Sequence, residues 1–248
     1  YNKKFQINYF LTFGTFFCIL YIPMVCKGDE EMSRNKYPEE TYQLIISVSK
    51  ELFLKNGYEK TSLQDIIDHL GGLTKGAIYH HFKSKEEILI AVLHTICVNN
   101  AFEMEAIRDD RNLTGKQKLE KMFTESLKNP NQKDVFAVTP NLLNNPTFLV
   151  YYLKMITQET VPQYVLPIIK QGIEDGSIIA KYPEELADAI LFLSDVWMNP
   201  LVFPLTEEKL VHRAIMLNEF FSQYGIQILD ENMIDAMRNY RKISEDRL

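Results

Sequence analysis

Residues 61–87, TSLQDIIDHLGGLTKGAIYHHFKSKEE, decide the fold. Thr61-Ser62 is an N-cap pair, because a hydroxyl placed just before a helix can accept one of its unsatisfied N–H groups. Behind it, Leu63, Ile66, Ile67 and Leu70 recur at i, i+3, i+4 and i+7, the spacing of one helix face. Gly71-Gly72 stops that helix after about two turns. Thr74 can cap the next, which runs through Tyr79 and His81. Ser84 opens a further helix, with Glu87 at the capping-box position. Upstream, Pro38-Glu39-Glu40 has the composition of a helix start, with proline in the first turn and acids near the positive end of the dipole. Leu44, Ile45, Val48, Leu52 and Phe53 then predict a core-facing stripe, and Asn56-Gly57 the stop. Three helices joined by very short turns predict a helix-turn-helix.

Charge points to the partner. Residues 32–86 carry eight Lys/Arg and seven Asp/Glu, whereas 87–248 carry sixteen and twenty-three, so the overall charge of −6 arises in the C-terminal part. Between His69 and Lys85 there is no acid. Lys75, Lys83, Lys85 and three histidines lie there, interleaved with Tyr79 and Phe82. A solvated basic face is the ordinary reading of such a run. A short basic helix after a glycine turn, however, is what the major groove of DNA accepts, since Lys and Tyr can meet phosphates while the helix N-terminus faces base edges.

The string from Leu44 to about Leu93 resembles the DNA-binding region of the tetracycline-repressor (TetR) family of bacterial regulators. The pieces that carry the likeness are Leu52-Phe53 with Gly57-Tyr58, Thr61-Ser62 with Asp65-Ile66, Lys75-Gly76-x-x-Tyr79-x-His81-Phe82, and Ser84-Lys85-Glu86. The resemblance implies phosphate contacts at Tyr79, His81 and Lys85, with Thr74, Lys75 and Gly76 opening the recognition helix. Ser62, Gln64 and His80 complete the DNA-binding set. Lys75 could reach guanine acceptors or a phosphate, and Gly76 would let backbone approach DNA. One departure stands out: between Ile66 and Lys75 the chain has one residue more than the common family spacing, as Gly71-Gly72-Leu73. For single residues a simpler reading coexists, with Ser62 and Thr74 only caps, His80 and His81 only solvated, and Tyr79 half-buried.

The expected fold is all-α: a three-helix helix-turn-helix domain over 32–86, then a helical effector-binding and dimerisation bundle over 87–248. Helices are expected over 84–109, 115–128, 133–143, 146–158, 161–175, 183–199, 206–224 and 230–244, with no convincing strand. The segments near 161–176 and 183–199 resemble the family's dimerisation helices, with Leu186, Ala187, Ile190, Leu191, Ser194 and Trp197 placed to pack on a partner. A homodimer could read a palindromic operator. A small-molecule effector is expected among the middle helices, near Phe102, Phe123, Tyr151, Tyr152, Met155 and Trp197, with Met104, Met122 and Phe136 as further material. Aromatic and Met residues at helical spacing are more often plain core.

No metal or cofactor motif is present, and adjacent His80 and His81 point about 100° apart, which suits no zinc site. Cys18, Cys26 and Cys97 have no paired spacing, in keeping with a reducing cytoplasm. The nucleophile-elbow, phosphate-loop, dinucleotide, HExxH and CxxC patterns are missing. His94 and Cys97 share a helix face, so a Cys/His enzyme is one alternative, and a helical protein-interaction adaptor another. Residues 1–31 differ from the rest, with two lysines before an apolar run from Phe10 to Cys26. A signal peptide, a membrane anchor and translated upstream DNA compete as readings. The last is favoured by 15 of the first 26 residues being Phe, Tyr, Asn, Lys or Ile, and it places the native start at Met32.

Overall fold

The computed structural model describes residues 38–128, 130–203 and 206–229. The leader, Met32 and the helix expected over 230–244 lie outside the described residues. All regular structure among the described residues is helical. Helix α1 spans Pro38–Asn56, α2 Leu63–Asp68, α3 Lys75–His81, α4 Lys85–Asp109, α5 Gly115–Lys128 and α6 Gln132–Val138. After a 3₁₀ turn at Leu142–Asn144, α7 spans Pro146–Lys154, α8 Leu166–Glu174, α9 Pro183–Leu191 and α10 Glu207–Ser222.

Helices α1, α2 and α3 enclose a small core built from Ile45, Ile46, Leu52, Phe53, Tyr58, Ile66, Leu70, Ile78 and Phe82. Leu44 does not join it, being 45% exposed. The buried stripe is shifted by one residue, with Ile46 and Ser49 inward and Leu44 turned to solvent. Helix α1 also packs on α4 and α6, so the first three helices rest directly on the larger bundle. The α2–α3 turn is made by Gly71 at φ 64° and Gly72 at φ 102°, left-handed conformations that side-chain-bearing residues seldom adopt.

In the bundle, α5 lies against α8, and α9 against α8 and the segment before it. The α5–α8 approach is close because both helices present glycine: a Cβ on Gly115 would lie 2.3 Å from the backbone nitrogen of Gly172. The Gly115 N–H donates to Asp175 Oδ2 at 2.8 Å and the Lys116 N–H to Ser177 Oγ at 3.1 Å, satisfying the start of α5. Nearby, the buried Lys118 ammonium donates to the Arg108 carbonyl and to Gln171 Oε1.

One expected break and one expected helix turn out differently. Helices α7 and α8 form one continuous run, joined by wide π turns over Met155–Val165 with Pro162 inside. Proline lacks an N–H and crowds the preceding turn of an α-helix; the widened turns accommodate it without a break. Helix α9 likewise continues as π turns over Phe192–Trp197. The single helix expected over 133–143 instead stops at Val138, and Asn141 caps the separate 3₁₀ turn through the N–H groups of Leu143 and Asn144.

Candidate nucleic-acid interface

The position of α3 follows from three anchors. Thr74 Oγ1 accepts the Ala77 N–H at 3.2 Å and fixes the start. Ile78 is buried in the core, and the ring of Phe82 stacks on Tyr42 of α1 at 5.0 Å between centroids. With these pointing inward, Lys75, Gly76, Tyr79 and His80 are left exposed. Lys75 and Tyr79 are one helical turn apart, with the ammonium 5.7 Å from the ring centroid. The space around Gly76 is open apart from Thr74 Oγ1 at 3.7 Å, so another molecule's backbone or phosphate can come close. His81 turns the other way. Its ring meets Tyr42 edge-on, and burial, then the neighbouring His80, holds its pKa below the ordinary 6.5.

Helix α2 begins with a full capping box: Ser62 Oγ accepts the Asp65 N–H at 3.1 Å, and Asp65 Oδ2 accepts the Ser62 N–H at 2.7 Å. The Ser62 hydroxyl also donates to Asp65 Oδ2, and these bonds keep the Asp65 carboxyl below the usual range. Gln64 is exposed and donates to Asp68 Oδ1 at 2.7 Å. Ser62 and Gln64 therefore sit at the entry of α2 with their polar groups held locally. At the start of α4, Ser84 Oγ accepts the Glu87 N–H, but the Glu87 carboxylate reaches back to the Lys83 N–H at 2.6 Å, one residue earlier than a capping box requires.

Lys85 stands apart from the others. Its ammonium donates to the carbonyls of Tyr58 and Thr61, each at 2.9 Å, and lies 4.0 Å from the centroid of the Tyr58 ring. Burial lowers its pKa. Tyr58 and Tyr42, both central to this arrangement, were absent from the sequence-derived site; counting Tyr as apolar would have extended the α1 stripe through Tyr42.

In the bundle, Tyr152 and Met155 are buried, as are Met104, Met122 and Phe123. The Tyr152 hydroxyl donates to Asp195 Oδ2 at 2.5 Å, and the Asn199 amide donates to that hydroxyl at 3.5 Å. Burial first, then Asp195, drives the Tyr152 pKa well above 10. Tyr151 is half-buried against Phe148. Trp197 is half-buried, with the Arg213 guanidinium 4.5 Å from its ring, 5.0 Å from Phe203, and bonded to the Trp197 carbonyl. Phe102 does not belong to this interior: it is 66% exposed, because Met104 takes the inward position and two residues amount to about 200° around a helix. Phe136 also faces outward. Asp195 and Asn199 were missed, although an acid within the apolar run AILFLSDVWM is itself a signal.

The residues expected to meet a partner subunit also need correction. Leu186, Ala187, Ile190, Leu191 and Ser194 are buried inside their own protomer, because α9 spends that face on α8 and the π segment before it. Cys97 is buried and His94 half-buried, their helix face turned into the core. Among the described residues no group of three or more His, Cys, Asp or Glu could hold a metal, and no single helix is long and apolar enough to cross a membrane.

The short α2, the tight glycine turn and the exposed basic α3 define a helix-turn-helix, and the other described residues form a larger helical bundle. Residues 45–92 match the model of bacterial regulatory proteins, tetR family. The chain is 29% identical over 170 residues to the HTH-type transcriptional regulator YerO of Bacillus subtilis, across 66% of this chain and 57% of that protein. It is 44% identical over 50 residues to the HTH-type transcriptional regulator QacR of Staphylococcus aureus, across 20% of this chain and 26% of that one. The chain thus spans a little over half of the first relative and about a quarter of the second. Among solved structures, a transcriptional regulator (TerR/AcrR family) from Aquifex aeolicus aligns at TM-score 0.46 and 24% identity, covering 74% of this chain and 98% of that one. The likeness to bacterial regulatory proteins of the tetR family is thus carried by residues 45–92.

Proposed function

We propose that the protein is a ligand-responsive transcriptional regulator, a repressor by family default, which binds a palindromic operator in double-stranded DNA as a cytoplasmic homodimer. Residues 32–86 would carry the DNA contacts and 87–248 the effector and dimer contacts, with α4 crossing the join. The observation that carries the reading is the exposed, acid-free face of α3, where Lys75, Gly76, Tyr79 and His80 stand free of the core. One such helix makes few base contacts. Two copies about 34–36 Å apart would meet successive major grooves.

The dimer contact is proposed on the outward side of the two late segments. There Ala189, Phe192, Leu193 and Val196 follow i, i+3, i+4, i+7 spacing and are half-buried in the protomer. The effector would enter among the middle helices, near the buried Tyr152 and Met155 and the half-buried Trp197, and would favour the dimer geometry that separates the two recognition helices.

Variants of α3 test the reading. Tyr79→Ala is expected to weaken binding to all duplexes by a similar factor, because a phosphate contact positions without reading bases. Lys75→Ala is expected to change sequence preference. Binding by both variants indistinguishable from the unmodified protein would reject α3 as the DNA-contacting helix.

A further inference from the structure

The first two residues of α4 hold the turn between α1 and α2 from two sides. The Lys85 ammonium caps the carbonyls of Tyr58 and Thr61, each at 2.9 Å, and covers the Tyr58 ring face at 4.0 Å. The Tyr58 hydroxyl in turn donates to Glu86 Oε1 at 3.0 Å. Thr61 is fixed from below, its own hydroxyl donating to the Gly57 carbonyl at 2.9 Å. The residue after Thr61 is Ser62, the N-cap of α2. The chain leaving this turn is therefore the entry of the helix-turn-helix.

We propose that Lys85 is a positioning residue rather than a phosphate contact: it fastens the entry of α2 to the first turn of α4 and so sets the angle at which the helix-turn-helix leaves the bundle. Two of the three ammonium protons are given to backbone carbonyls, and the cation faces an aromatic ring. Reaching a phosphate would require abandoning both carbonyls: that of Tyr58 would keep the Thr61 N–H at 3.2 Å, whereas that of Thr61 would give up its donor in a buried turn, which is costly. Desolvation of the ammonium is consistent with this inward placement.

The inference rests on the DNA-binding reading for its affinity arm but has a second arm free of it. Lys85→Met keeps the stem and removes the donors. In the full chain without DNA it is expected to lower Tm by about 5 °C. With duplex DNA from upstream of the gene it is expected to weaken binding about tenfold at every salt concentration, leaving the slope of log affinity against log salt unchanged. A slope shallower by about 0.9, the signature of one lost phosphate contact, or an unchanged Tm, would overturn the proposal. Should Lys85→Met not fold, Lys85→Gln, which removes the charge but retains an amide NH2, serves the same comparison. If the unmodified chain binds no duplex at all, the regulator reading fails while the melting arm still decides the grip.

Discussion

The helix-turn-helix and the bundle behind it reach their shapes by different means. In the first, nearly every boundary is set by a residue acting on its immediate neighbours: Ser62 and Asp65 start α2, Gly71 and Gly72 turn the chain, and Thr74 starts α3. In the bundle the decisive contacts are distant in sequence. Gly115 meets Gly172, Lys118 meets Gln171, and Tyr152 meets Asp195. A surface proposed to dock on DNA gains from short, self-contained helices whose outer face is free. A domain proposed to respond to a ligand gains from contacts that couple remote segments, and its π turns at Met155–Val165 and Phe192–Trp197 are a form of helix frequent at functional sites.

Substitutions at glycine separate the two regimes. Gly115→Ala is expected to cost about 3 kcal/mol or more, since the new methyl would meet rigid backbone on α8 rather than a flexible side chain; denaturant titration measures it. A loss near zero would mean that α5 can shift and that the bundle is looser than its contacts imply. Tyr152→Phe removes a buried donor to Asp195 and is expected to cost about 2 kcal/mol. If this were instead stabilising, the buried hydroxyl would be there for a ligand and not for the fold. Gly72→Ala should cost only about 1 kcal/mol, because nothing lies within 4 Å and the penalty is the left-handed backbone alone. Its effect on DNA affinity should exceed its effect on stability, the reverse of Gly115→Ala.

The smallest effect concerns pH. His81 in the helix-turn-helix and His94 in the bundle both have pKa values below the ordinary 6.5, the first from burial and then His80, the second from burial. The folded state therefore binds these protons less readily than the unfolded chain. The stability they contribute is full above about pH 6.5 and is lost as pH falls through the lowered values. Tm should accordingly decline between pH 7 and pH 5.5. His80→Gln should raise the His81 pKa, seen by NMR titration, and leave His94 where it is. Equal movement of both would show that charge is shared across the two regions.

The same contrast explains what the sequence alone could tell. The caps and glycines of residues 61–87 act within four residues of themselves, so the boundaries of α2 and α3 were readable from spacing. Leu44 was assigned inward because helical periodicity does not say which of two adjacent apolar residues faces the core. Around Pro162 a break was expected, yet tertiary packing carries the helix through in π form. The site divides likewise. Lys75, Gly76, Tyr79 and His80 lie in the acid-free run that the sequence already marked, and they are exposed because Ile78 and Phe82 point inward. That Lys85 turns onto Tyr58, that Phe102 faces solvent, and that Leu186 and Ile190 serve their own protomer depend on partners tens of residues away.

The central claim, that the outer face of α3 docks in the major groove, is tested most directly by titrating the protein in salt against duplex DNA from immediately upstream of its gene and against a scrambled duplex. Tight binding to the first that depends on a palindrome and weakens steeply with salt is the predicted result. Equal, weak binding to both duplexes, unchanged by Tyr79→Ala, would contradict it.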